Sequence, residues 1–132
     1  MPDDAPNPSD APWPDELRLV PGGRILQVTF AGGRPVALPA ELLRCESPSA
    51  EVQGHSAGER RLVPGKRDVA IVAVEPIGNY AVRLTFDDGH STGIYGWPFL
   101  AAMARDPGGG LARYRETLAA AGLSSDPAPA RP

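Results

Sequence analysis

Hydrophobic and polar positions alternate with a two-residue period through much of this chain, and the clearest run is Tyr80 to Phe86. There Tyr80, Val82, Leu84 and Phe86 alternate with Ala81, Arg83 and Thr85, the pattern of a strand that buries one face. Gly78-Asn79 precedes the run and Asp87-Asp88-Gly89 follows it. Both combine residues that tolerate positive φ, so a turn is predicted at each end. A short returning strand is expected within His90 to Tyr95, and a helix opening near Trp97-Pro98. The stretch Val74 to Trp97 is therefore expected to organise the fold.

The same period runs upstream through Leu26, Val28 and Phe30, set against Ile25, Gln27 and Thr29. It returns after Ala31-Gly32-Gly33 in Val36 and Leu38, which predicts an N-terminal hairpin. Leu17-Arg18-Leu19-Val20 leads into a type II turn at Pro21-Gly22. Pro39 followed by Ala40-Glu41-Leu42-Leu43-Arg44 predicts a helix of one or two turns. Asp68 to Glu75 is apolar on both faces, which predicts a strand central in its sheet. Trp97 to Ala104 reads as a helix with Leu100 and Met103 on one side, broken by Asp106-Pro107-Gly108-Gly109-Gly110. Leu111 to Ala121 reads as a second helix, with Leu111, Tyr114, Leu118 and Ala121 on a stripe expected to pack on the domain. Cys45 to Lys66 shows no period, and its prolines and glycines predict a long loop of the kind that carries function. The expected class is α+β. A small antiparallel sheet is built from the N-terminal hairpin and a three-stranded portion, with one to three short helices.

Composition sharpens the boundaries. Residues 1–16 are rich in proline and acidic side chains, and 124–132 consist of Ser, Asp, Pro, Ala and Arg, so both ends are expected to be disordered tails. The expected domain is 17–105, with a helical extension over 106–123. A chain of 132 residues can bury one core of its own. The net charge of −3 and the lack of a long basic block argue against nucleic acid as a partner. The nearest basic group, Arg60, Arg61, Lys66 and Arg67, is interrupted by Leu62-Val63-Pro64 and reads as a solvated loop. The single cysteine, Cys45, excludes an intramolecular disulfide and suits a reducing compartment. No stretch has the pattern of a leader or a membrane span, so no membrane partner is expected and the cytoplasm is the default location.

Candidate chemistry is sparse. A phosphate-binding loop needs four residues between its first glycine and Gly-Lys; here six residues separate Gly58 from Gly65-Lys66, and Arg67 replaces the hydroxyl. No nucleophile elbow exists, and Ser91 beside His90 points to the opposite strand face. Cys45 with His55 or His90 lacks a third member for a thiolate relay, and Cys45 is expected to be a small buried hydrophobe. The two histidines do not make the two-histidine, one-carboxylate set of a non-haem iron oxygenase. His90 is expected to be hydrogen-bonded to Asp87, Asp88 or backbone, and Tyr95 and Trp97 to cover the end of the sheet. No catalytic residue is expected.

Two sets of residues carry a resemblance. Pro76-Ile77-Gly78-Asn79-Tyr80-Ala81-Val82, continued by Phe86-x-Asp88-Gly89-His90-x-x-Gly93-Ile94-Tyr95-x-Trp97-x-x-Leu100, resembles the DUF971 family, the γ-butyrobetaine hydroxylase-like N-terminal domain. Leu42-Leu43-Arg44 followed by Ser47-Pro48-Ser49-Ala50-Glu51-Val52 resembles its second signature. The likeness spans about residues 17 to 104. In the hydroxylases it implies a structural zinc held by a Cys-Pro-Cys-x-x-Cys cluster and the histidine of Asp-Gly-His. Those cysteine positions correspond here to Ser47, Ser49 and Val52, and His90 alone remains. The resemblance thus implies a degenerate site with no cofactor; the alternative is zinc or iron on His90 and Cys45, completed by a partner chain or linked to iron–sulfur assembly. It further implies an accessory module that binds an unknown protein partner rather than an enzyme, since the oxygenase barrel is not included. The expected contact surface is the 45–67 loop with Asn79, Tyr80, Asp88, His90, Tyr95 and Trp97.

Overall fold

A computed structural model of the chain describes residues 14–30, 33–48 and 62–126. Three strands come first, β1 (Pro14–Leu19), β2 (Ile25–Phe30) and β3 (Pro35–Pro39), followed by helix α1 (Ala40–Cys45). Further along the chain come β4 (Ile71–Ile77), β5 (Ala81–Phe86) and β6 (Ile94–Gly96), then helices α2 (Trp97–Ala104) and α3 (Pro107–Ala120). The strands form two antiparallel sheets, β1-β2-β3 and β4-β5-β6. The fold is α+β, as the periodicity implies. No helix among the described residues is long and apolar enough to cross a membrane.

The first sheet follows its pattern. Leu26, Val28 and Leu38 are fully buried, and Leu26 pairs with Leu38 and Val28 with Val36. Gly22 sits at φ 99° and the Gly23 amide donates to the Val20 carbonyl, which closes the type II turn at Pro21-Gly22. The expected hairpin is, however, a three-stranded sheet. β1 adds to β2 and begins at Pro14, inside the stretch read as a tail.

The second sheet corrects two expectations. β5, not the Asp68–Glu75 stretch, is central; among the described residues β4 pairs with β5 alone and lies at the edge. A register shift between Ile71 and Ala73 turns Val72 outward, where it is 59% exposed, so two apolar faces do not mean two covered faces. Along β5 the alternation holds for Val82, Leu84 and Phe86, all buried. It fails at Tyr80, which lies in the turn before the strand begins. The two sheets meet where the Ile71 amide donates to the Gly23 carbonyl at 2.7 Å.

Leu26, Leu38, Leu43, Leu84, Phe86 and Leu100 centre the main core, between the sheets and under α2. Burying a side chain of this size is worth about 1.5–3 kcal/mol. A smaller cluster of Cys45, Tyr114 and Leu118 joins α3 to α1, with Leu62 and Val63 packed on it. The Arg115 guanidinium reaches the buried carboxylate of Glu41 and fixes the same contact. The glycine run expected to separate the helices instead forms the first turn of α3. Asp106 caps it by accepting from the Gly109 amide at 3.1 Å, and Pro107 occupies the first turn, where no amide is needed. Of the expected stripe, Tyr114 and Leu118 are buried, whereas Ala121 is exposed at the helix end.

Candidate functional site

The turn after β5 is built locally and then tied down from a distance. Gly89 adopts φ 91°, its amide donates to the Phe86 carbonyl, and the His90 amide donates to Asp88 Oδ1 at 3.0 Å. This is the side-chain turn that aspartate forms two residues ahead of its amide partner. Asp88 Oδ2 then accepts Arg44 Nε from the last turn of α1 at 2.8 Å and Lys66 Nζ at 2.6 Å. The side chains are only 18%, 13% and 24% exposed for Asp88, Arg44 and Lys66. Burial acts to raise the Asp88 pKa, but the bonds from Lys66, the His90 amide and Arg44 outweigh it and hold the carboxyl well below its usual value. Arg44 Nη1 is buried with no acceptor among the described residues.

Behind the turn lies a buried polar group. Ser47 Oγ is 3.0 Å from His90 Nε2, and both residues are buried. The Tyr95 hydroxyl, also fully buried, donates to the Leu43 carbonyl and bonds with Ser47. Burial pushes the Tyr95 phenol far above its usual range. Gly93 faces this group so closely that a Cβ there would stand 2.5 Å from Ser47 Oγ and 3.0 Å from the Tyr95 ring. Tyr95 is therefore part of the interior rather than of a contact surface. Its aromatic pattern position reads the same either way, and only the long-range bond to Leu43 decides.

Cys45 looks elsewhere. Its thiol donates to the Val63 carbonyl at 3.4 Å and bonds with Tyr114, whose hydroxyl accepts from the Val63 amide. Burial, with help from Glu41, pushes the thiol up to about 12. Cys45 and His90 thus address different partners.

The remaining expected residues gather at the opposite end of β5. Trp97 Nε1 donates to the Asn79 carbonyl at 2.8 Å, and the Trp97 amide donates to the Tyr80 carbonyl. Tyr80 stays 59% exposed, its ring laid over the Gly78 turn. Six residues of strand, roughly 20 Å at the usual rise, separate this patch from Asp88. The single surface expected from the sequence is two patches. Most of the 45–67 stretch expected to form a loop, including Ser49, Val52, His55, Arg60 and Arg61, lies outside the described residues.

Among the described residues, the donors next to His90 are not those of a closed zinc site. A serine hydroxyl, not a thiolate, stands beside His90, and valine at position 52 has no donor atom in its side chain. Among the described residues no group of three or more His, Cys, Asp or Glu side chains is arranged to hold a metal. One feature has no signal in the sequence: a groove of about 530 Å³ between α1, α2 and α3, floored by Leu42, Phe99, Met103 and Tyr114 and edged by Arg105 and Arg113. Packing of the three helices creates it, with Glu46 and Leu62 completing the lining. The partners of Asp88 were equally hidden, because Arg44 and Lys66 lie 44 and 22 positions away in the chain.

Comparison with known proteins agrees with this architecture. An NMR solution structure is 42% identical, with a TM-score of 0.78, and the match covers 91% of this chain and 94% of that one. A second NMR solution structure is 41% identical at a TM-score of 0.75, covering 99% and 95%. A crystal structure from Acidithiobacillus ferrooxidans, of unknown function and assigned to DUF971, is 38% identical at a TM-score of 0.57, covering 69% and 91%. No match is found among curated protein sequences. The family described as gamma-butyrobetaine hydroxylase-like, N-terminal, matches residues 17–101, well over half of the 132 residues, and the chain belongs to that family.

Proposed function

We propose that this chain is a non-catalytic accessory module that acts by binding another protein, its family's zinc site having become an internal hydrogen-bonded group. The observation that carries the reading is Tyr80. An aromatic ring exposed on a turn whose backbone is held by Trp97 loses little freedom on docking, and such rings dominate the energetics of protein contacts. The neighbouring Asn79 side chain adds a polar rim. The Asp88 end contributes shape and charge rather than chemistry, since its carboxylate is already committed to three donors.

The test is quantitative affinity capture from the native source with wild type, Tyr80→Ser and Val72→Ser. Val72 is as exposed as Tyr80 but sits on the edge strand, so it controls for loss of apolar surface. The expected result is a specific protein recovered with wild type and Val72→Ser and lost with Tyr80→Ser. Recovery of the same protein by Tyr80→Ser would remove the aromatic turn from the proposal.

A further inference from the structure

We infer that Arg44 and Lys66, held together by Asp88, form a binding site for a carboxylate or phosphate oxyanion. Two cations meet one carboxylate at 2.8 and 2.6 Å, which leaves the cluster with one positive charge in excess. Both nitrogen–hydrogen bonds of Arg44 Nη1 lack an acceptor among the described residues, although the atom is buried. A buried guanidinium nitrogen without a partner is costly, and an oxyanion is the acceptor whose geometry and charge satisfy it. Lys66 Nζ has three donors, of which Asp88 takes one, and at 24% exposure it is the open side of the cluster. The position is also built rather than incidental. The Asp87–His90 turn is sutured to Ala70 through the Asp87 backbone and side chain, and Arg44 is fixed in the last turn of α1.

Three neighbouring charged groups among the described residues are engaged elsewhere. Asp87 accepts the Ala70 amide, Asp68 pairs with Arg24, and Arg67 pairs with Asp126. Asp88 therefore acts as an internal competitor for the site: it assembles the cations while occupying part of their coordination. An incoming oxyanion bonds to Lys66 and Arg44 alongside it. The shared ligand chemistry is a planar or tetrahedral oxyanion, which comes either as a free small ion or as an acidic side chain or C-terminus of a protein. The site lies at the far end of β5 from Tyr80 and stands or falls independently of the aromatic patch.

Isotope-labelled protein titrated at constant ionic strength tests the inference. Three probes are used: sodium phosphate, an acetylated Asp-Glu-Asp peptide, and sodium chloride as the control. Saturable movement of the Arg44 Nε–H, Lys66 and His90 resonances with phosphate or peptide, absent with chloride, is the expected result. A tighter response to the peptide assigns the site to an acidic protein segment; a tighter response to phosphate assigns it to a free ion. Lys66→Met should weaken binding roughly tenfold, as expected for a charge-assisted bond removed from a half-buried site. Arg83→Gln, which removes a guanidinium paired with Glu75 on the outer sheet face, should leave it unchanged. Asp88→Asn should strengthen it, a response that a purely structural ion pair does not give. Arg44→Gln should abolish it, and if that variant unfolds, Lys66→Met and Asp88→Asn decide alone. Movements equal to those in chloride, or an unaltered response in Lys66→Met, overturn the inference.

Discussion

At one end of β5 the chain turns through Asp87, Asp88 and Gly89; at the other it turns through Gly78, Asn79 and Tyr80. Each turn places a glycine at positive φ, 91° at Gly89 and 54° at Gly78, and each was readable from composition. What surrounds them differs. The Asp88 turn is bound to α1, to Lys66 and to Ala70, and it backs onto the buried Ser47–His90–Tyr95 group. The Tyr80 turn is held mainly through Trp97 and leaves its ring in solvent. The first is a structural knot with charged residues at its mouth; the second is a surface on a firm base. Identical turn chemistry thus serves opposite ends, and long-range polar bonds decide which.

The comparison breaks most easily at Gly93. Replacing it by alanine drives a methyl group into Ser47 Oγ and the Tyr95 ring, both fully buried and unable to retreat. Overpacking of this kind should cost about 2–3 kcal/mol. Urea denaturation of Gly93→Ala measures it, and unchanged stability would mean that the polar group is looser than its distances imply. Ser47→Ala comes next. It removes the hydroxyl that faces His90 Nε2 and Tyr95 and should cost about 1–2 kcal/mol, the penalty for weakening a buried hydrogen-bonded pair. Neither change should disturb Tyr80.

How much of this was legible differs between the two ends. Periodicity located β2, β3, β5 and the turns because those depend on neighbours one to four positions apart. It misjudged β4, where a bulge at Val72 sends an apolar residue outward, and it missed β1, whose Pro14 and acidic residues resemble a tail until β2 offers them a partner. Asp106 shows the same limit on a smaller scale. Its side-chain cap turns a glycine run into the start of α3, although the run alone reads as a break. At the site, Asp88 and His90 could be singled out by type. Their partners Arg44, Lys66 and Ser47 could not, since nothing in the chain's local pattern encodes a contact across 22 to 44 positions.

Acid should distinguish the two ends next. The Asp88 carboxyl is held below its ordinary value of 3.8, so its contribution to stability is complete above that value and fades as the pH falls beneath it toward the folded-state pKa. Wild type should therefore exceed Asp88→Asn in stability at neutral pH, and the gap should narrow steadily below about pH 4. Parallel denaturation series for the two proteins give the difference directly. A gap that stays constant into acid would show that Asp88 acts through shape and not through its charge.

The smallest thermodynamic effect belongs to Tyr80, and that is what makes it informative. Its ring is already 59% exposed and touches mainly its own turn, so truncation to serine removes little that folding had gained. Surface changes of this sort usually fall within about 0.5 kcal/mol of wild type. The backbone of the turn should persist, because Trp97 bonds to the carbonyls of Asn79 and Tyr80, which the substitution leaves intact. Tyr80→Ser should consequently melt with wild type and keep the Trp97 indole resonance in place while losing partner capture. A drop in stability comparable to that of Ser47→Ala would instead make Tyr80 a structural lid over Gly78. The two ends of β5 would then be alike in purpose as well as in turn chemistry.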